Sequence, residues 1–231
     1  MIKNYSDYLV SKLTPVLLLI MTGTFVIGSS LMLYPTAYAA TKTPQTILVL
    51  GDSLSGSYGI NADEGWVSLL QQQVSQHGFN YKVVNTSVSG DTTRTGLSRI
   101  EPALKTHQPD IVIIALGGND GLRGLPFSEI ENSLSRIIEL CKTQGADMLL
   151  VGVRLPPNYG QAYTDKFAEL YRRLADRYEV PLVARMLDQV ADNRELMQQD
   201  GIHPTAEAQP LVMENVWAGL KPVLDQSKAE K

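Results

Sequence analysis

The stretch IVIIALGGND, residues 111–120, decides how the whole chain reads. Six apolar residues run without interruption and then give way to Gly-Gly-Asn-Asp. Such a run, rich in β-branched residues, suits a parallel strand covered on both faces. Gly and Asn beyond it suit a turn at the strand end. Four more runs are strand candidates: TILVL (46–50), YKVVN (81–85), DMLLVGV (147–153) and VPLVA (180–184), and several of the five are nearly continuous apolar runs.

Amphipathic segments fill the gaps. Trp66, Leu69, Leu70 and Val74 share one helical face that ends at Gly78. Residues 94–107 carry a helical pattern that Pro102 is expected to split or bend. Ser128 and Glu131 have the spacing of a capping box, opening a helix through Cys141 that Gly145 closes. Tyr163, Phe167, Leu170, Tyr171, Leu174 and Tyr178 form a third stripe, and Leu211, Val212, Val216, Trp217, Leu220 and Leu224 the last. These stripes read as core. DQSKAEK, residues 225–231, reads as a frayed tail. Strand–helix alternation predicts an α/β fold with a parallel sheet. In such sheets ligands bind beyond the C-terminal strand ends, which is where chemistry is expected.

Composition narrows the function. A chain of 231 residues, 44% hydrophobic and 19% charged, suits one globular domain. The formal net charge is −4 and no Lys/Arg run occurs, which argues against nucleic-acid binding. A single cysteine, Cys141, excludes an internal disulfide; its place in the stripe with Leu134, Ile137 and Ile138 reads as a buried small hydrophobe. No His/Cys/Asp cluster has metal-ligand spacing.

The first 39 residues differ from the rest. Lys3 and Lys12 precede a charge-free stretch, residues 13–33, and Ala37-Tyr38-Ala39 has the form of a signal-peptidase site. The expectation is a signal peptide over 1–39, cleaved after Ala39, and a globular domain over 40–231 that is periplasmic or secreted. The stretch is also long enough to span a bilayer, so an uncleaved anchor is the alternative.

Each strand end carries polar residues. Gly51-Asp52-Ser53-Leu54-Ser55 follows the first, SVSGDTT (87–93) the second, GGNDG (117–121) the third, and DGIHP (200–204) comes after the last. A serine hydroxyl needs a base to act as a nucleophile at neutral pH. Of three histidines, His77 and His107 sit at helix ends and read as structural. Asp200, three residues before His203, can hold the imidazole Nδ1–H and leave Nε2 facing a serine. The same residues also fit a plain Asp-Gly turn into a helix beginning near Pro204, and alone they do not decide. Backbone N–H groups at Ser53 and Gly90, with the Asn119 amide, could receive an oxyanion. Taken together, the four signals supply nucleophile, base, orienter and donors.

The blocks GDSLS, SGD with Gly90, GGND and DGIHP, in that order, resemble the SGNH (GDSL-type) hydrolases. GGNDGLRG (117–124), RLPPNYG (154–160) and DGIHPTAEAQP (200–210) resemble particularly the exported bacterial subgroup of multifunctional thioesterases, lysophospholipases and arylesterases. The resemblance covers roughly residues 46–224. It implies a flavodoxin-like three-layer α/β/α sandwich around a five-stranded parallel sheet. It further implies a Ser53–His203–Asp200 triad, an oxyanion hole from Ser53, Gly90 and Asn119, and no metal or cofactor. Leu122, Leu125, Leu155 and Pro156 are implied at the acyl site, with residues 121–126 as a mobile loop. The expected substrate is a small acyl ester or thioester, hydrolysed by a monomer with transient contact to membrane lipid. Two alternatives are an acetyl esterase acting on carbohydrates and a non-catalytic exported acyl-chain-binding protein.

Overall fold

The computed structural model describes residues 43–229. The export segment, the residue-40 boundary and the last two residues lie outside the described residues. Five strands form one sheet: β1 (Gln45–Gly51), β2 (Tyr81–Asn85), β3 (Ile111–Ala115), β4 (Asp147–Val151) and β5 (Leu182–Val183). Every pairing is parallel and the order is β2-β1-β3-β4-β5. Among the described residues six α-helices accompany them: α1 (Trp66–Gln76), α2 (Thr93–His107), α3 (Gly118–Leu122), α4 (Phe127–Thr143), α5 (Gln161–Tyr178) and α6 (Gln209–Ala229).

Period-two alternation along the strands makes the layers. Ile47, Val49, Ile111, Ile113 and Leu149 face one way, into a core shared with Trp66 and Leu70 of α1 and Val216 and Leu220 of α6. Leu48, Leu50, Val112, Ile114 and Leu150 face the other, into a core shared with Ile100 of α2, Ile137 of α4 and Leu170 of α5. The runs read as continuously apolar because both faces are covered. The result is the expected three-layer α/β/α sandwich.

Several local expectations are corrected. β5 pairs over two residues instead of 180–184; it is an edge strand preceded by Pro181, which has no N–H to give. Pro102 does not split α2, which runs unbroken through it. Ser128 and Glu131 form no capping box. The helix starts after Pro126 with no side-chain cap, and Glu131 is drawn across to Arg173 and Arg177 of α5 at 3.1 and 2.8 Å. The capping box lies instead on α2, where Thr92 accepts from the Thr95 N–H and donates its own N–H to Thr95 Oγ1. Residues 225–229 are not frayed: they continue α6, and the buried Ser227 Oγ donates to Asp147 Oδ2 at 2.6 Å. Among the described residues no helix is long and apolar enough to cross a membrane.

Because all strands run in parallel, their C-terminal ends share one edge. β1 connects to β2 on one side, while β3 lies on the other, so the chain changes direction between β1 and β3. Clefts open at such switch points. Ser53 follows β1 there, and Asn119 follows β3.

Candidate active site

The geometry builds outward from Ser53. Its Oγ lies 2.8 Å from His203 Nε2, and His203 Nδ1 lies 2.6 Å from Asp200 Oδ2. A carboxylate only accepts, so Nδ1 carries the proton and Nε2 of the neutral ring is left to accept from the serine hydroxyl. Asp200 is placed by its own turn, its Oδ1 accepting from the N–H groups of Ile202 at 2.9 Å and His203 at 3.0 Å. Partial burial opposes its ionisation, but the bonds from the His203 backbone and ring and from Ile202 outweigh this, taking its pKa down to about 2. His203 sits in a loop, because Pro204 bridges to Met197 and the next helix starts only at Gln209.

Asn119 stands in the first turn of α3. The preceding Gly117 has φ 113°, and a Cβ there would meet Tyr171 Oη at 2.1 Å, so this abrupt strand-to-helix turn takes only glycine. Asn119 Nδ2 donates to the Asp91 carbonyl at 2.9 Å and more weakly to Asp52 Oδ2 at 3.3 Å. Gly90 lies in the adjacent turn with φ 85°, and Arg123 donates to its carbonyl at 3.0 Å. Among the described residues, neither the Ser53 N–H nor the Gly90 N–H donates to another group.

Three acidic residues whose part in the site no motif logic indicates support it. Asp52 is 3% exposed and accepts from the Leu54 N–H at 3.0 Å; burial pushes its pKa up to about 6. Asp120 accepts from the Thr93 N–H at 2.9 Å and the Thr93 hydroxyl at 2.7 Å, fastening α3 to the start of α2; burial raises its pKa. Asp91 is held by Arg99. Each sits inside a recognisable block, and that adjacency is the one signal the sequence offers for them.

A cavity of ≈ 210 Å³ opens at Ser53, Asn119 and His203. Leu122, Leu155 and Pro156 line it. So do Val153, Leu187, Ala191, Met197 and Ile202, which no periodicity indicates. Leu125 and Gly90 are not in the lining. The chain turns back at Arg123–Gly124, and the Leu125 N–H closes onto the Asp120 carbonyl at 3.0 Å. Residues 121–122 are tethered, since Tyr163 and Tyr159 donate to the carbonyls of Gly121 and Leu122 at 2.9 and 2.8 Å. Gly121 is a packing glycine: a Cβ would meet Leu155 at 2.7 Å and Phe167 at 2.9 Å.

His77 lies elsewhere, at the end of α1, its Nδ1 2.9 Å from the Gln73 carbonyl and its ring against Trp217; His107 ends α2. Cys141 is buried, which pushes its thiol up to about 12. Among the described residues no group of three or more His, Cys, Asp or Glu could hold a metal. The arrangement can therefore activate a hydroxyl through an imidazole beside an apolar cavity with amide donors at its edge.

The chain belongs to the GDSL-like lipase/acylhydrolase family, whose pattern matches residues 49–210. Among its relatives, esterase TesA of Pseudomonas aeruginosa is 44% identical over 180 residues, 78% of this chain and 90% of the relative. The thioesterase 1/protease 1/lysophospholipase L1 of Escherichia coli is 41% identical over 180 residues, 78% of this chain and 85% of the relative. A crystal structure of TesA superposes with a TM-score of 0.76 at 44% identity, covering 77% of this chain and 99% of that one.

Proposed function

We propose that the protein is a serine esterase hydrolysing acyl esters and thioesters, with Ser53, His203 and Asp200 as its triad. The observation that carries this reading is the continuous hydrogen-bonded line Asp200–His203–Ser53 at the mouth of an apolar cavity. Ser53 Oγ attacks the acyl carbonyl carbon while its proton passes to His203 Nε2. Asp200 holds the resulting imidazolium. The carbonyl oxygen becomes an oxyanion that takes hydrogen bonds from the Ser53 and Gly90 N–H groups and the Asn119 amide. The bond to the leaving alcohol or thiol then breaks as His203 returns the proton to it. Water attacks the acyl-enzyme with His203 again as base, and the carboxylic acid leaves.

The apolar lining from Leu122, Val153, Leu155 and Met197 favours an acyl chain over a sugar as the group bound there. Family membership and the names of its relatives point the same way. The test is hydrolysis of p-nitrophenyl esters from acetyl to palmitoyl by the wild type and by Ser53→Ala. The expected result is turnover lost in the variant and an optimum beyond acetyl. An optimum at acetyl, with faster release of acetate from acetylated sugars, overturns the acyl-chain reading.

Residues 1–39 are proposed to be an export signal removed after Ala39, leaving residues 40–231 as the working domain outside the cytoplasm. The support is the charge-free stretch 13–33 followed by Ala37-Tyr38-Ala39. N-terminal sequencing of the protein from cells tests it, and a chain beginning at Met1 overturns it.

A further inference from the structure

Tyr58 is the most exposed of the large hydrophobic side chains among the described residues, with 51% of its surface accessible. So exposed a ring gains little from burial. It lies against the imidazole of His203, with centroids 4.4 Å apart and planes inclined by 33°. Both nitrogens of that imidazole are bonded in the ring plane, one to Asp200 and one to Ser53. In-plane bonds leave the tilt of the ring to whatever packs on its faces, and Tyr58 supplies a face contact.

The backbone is arranged to deliver that contact. Ser57 adopts a left-handed conformation with φ 58°, which a non-glycine residue holds only where its surroundings impose it. Gln198 Nε2 donates to the Tyr58 carbonyl at 2.8 Å and to the Pro204 carbonyl at 3.0 Å, while the Gln198 N–H donates to the His203 carbonyl at 2.7 Å. One glutamine thus clasps the loop bearing Tyr58 to the loop bearing His203.

We infer that Tyr58 is a positioning residue for His203, acting through its ring face. This rests on the assignment of Ser53 and His203 proposed above. The phenol ring fixes the imidazole tilt so that Nε2 stays aligned with Ser53 Oγ. Its π face also favours the imidazolium that forms when Ser53 loses its proton. Ring contacts to cations correspond to a rate factor of about 2- to 30-fold. The contact is made by the ring and not by the hydroxyl, so phenylalanine should replace tyrosine.

The experiment compares wild type, Ser53→Ala, Tyr58→Leu and Tyr58→Phe. It reads kcat and KM for p-nitrophenyl butyrate, the rate of Ser53 labelling by an alkyl fluorophosphonate, and the unfolding temperature. Tyr58→Leu should lower kcat and the labelling rate together, by about 2- to 30-fold, at nearly wild-type KM and unfolding temperature. Tyr58→Phe should retain both rates. Wild-type kcat in Tyr58→Leu, an effect on KM alone, or an equal loss in Tyr58→Phe would overturn the inference. If instead the wild type hydrolyses no ester, or Ser53→Ala matches it, the triad assignment fails first, and that failure is visible without the Tyr58 variants.

Discussion

The side-chain amide of Asn119 donates to the backbone carbonyl of Asp91 at 2.9 Å. The donor at the end of β3 is therefore aimed by the turn that follows β2. That turn is itself anchored, because Arg99 pairs with the Asp91 carboxylate and donates to the Thr86 carbonyl at 2.7 Å. Removing one oxyanion donor typically costs about 10²–10³ in turnover. Asn119→Ala should fall by that factor in kcat while unfolding near the wild-type temperature. Unaltered turnover would remove Asn119 from the oxyanion site.

Asp120 bears on stability. Its carboxylate is the partner of both the N–H and the hydroxyl of buried Thr93. Asp120→Ala strands two buried donors, and the expected loss is about 3 kcal/mol. Urea unfolding measures it, and a loss below about 1 kcal/mol would show that the two helix starts are not fastened this way.

The two acids flanking the proposed nucleophile should respond oppositely to pH. Burial raises Asp52 from 3.8 to about 6, so between these values the folded protein holds a proton that the unfolded chain has lost. Stability from this group is complete below pH 3.8 and declines as pH rises through about 6, by about 3 kcal/mol. Asp200, lowered to about 2, contributes stability above 3.8 that is lost as pH falls towards 2. Its side chain is 38% exposed, so solvent screening makes that contribution the smaller. Unfolding free energies measured from pH 3 to 8 for wild type and Asp52→Asn test this. The variant should lack the decline between pH 4 and 6, and an identical decline in both would refute the assignment.

Gly121 offers a handle on chain length. A methyl group there would meet Leu155 and Phe167 inside normal contact distance, and Leu155 lines the cavity. Gly121→Ala should push Leu155 into the cavity proposed to take the acyl chain and cost about 1–3 kcal/mol of stability. The p-nitrophenyl ester optimum should move to shorter chains, whereas an unmoved optimum would place the acyl chain elsewhere.

The interiors of β1, β3 and β4 were legible because both faces of these strands are buried, so an apolar run has one reading. Boundaries were not, since they depend on neighbours. Ser128 and Glu131 match a capping pattern, yet Glu131 has two arginines within reach across the helix interface, and no local pattern reports them. Thr92 and Thr95 form the capping box without the acidic or amide side chain that marks one in sequence. The cavity walls at Leu187, Ala191 and Met197 come from the irregular stretch between β5 and α6, where no period exists to be read.

The residues alone laid out the parts: five strand segments, a polar cluster after each of the first three, and an aspartate three residues before a histidine. That last pair is local, and the backbone of one turn brings its side chains together wherever the chain goes. The 2.8 Å approach of His203 to Ser53 spans 150 positions. That approach exists only in the folded chain, because two loops so distant meet only when the parallel sheet brings their strand ends to one edge, and there Gln198 and Tyr58 hold them in register.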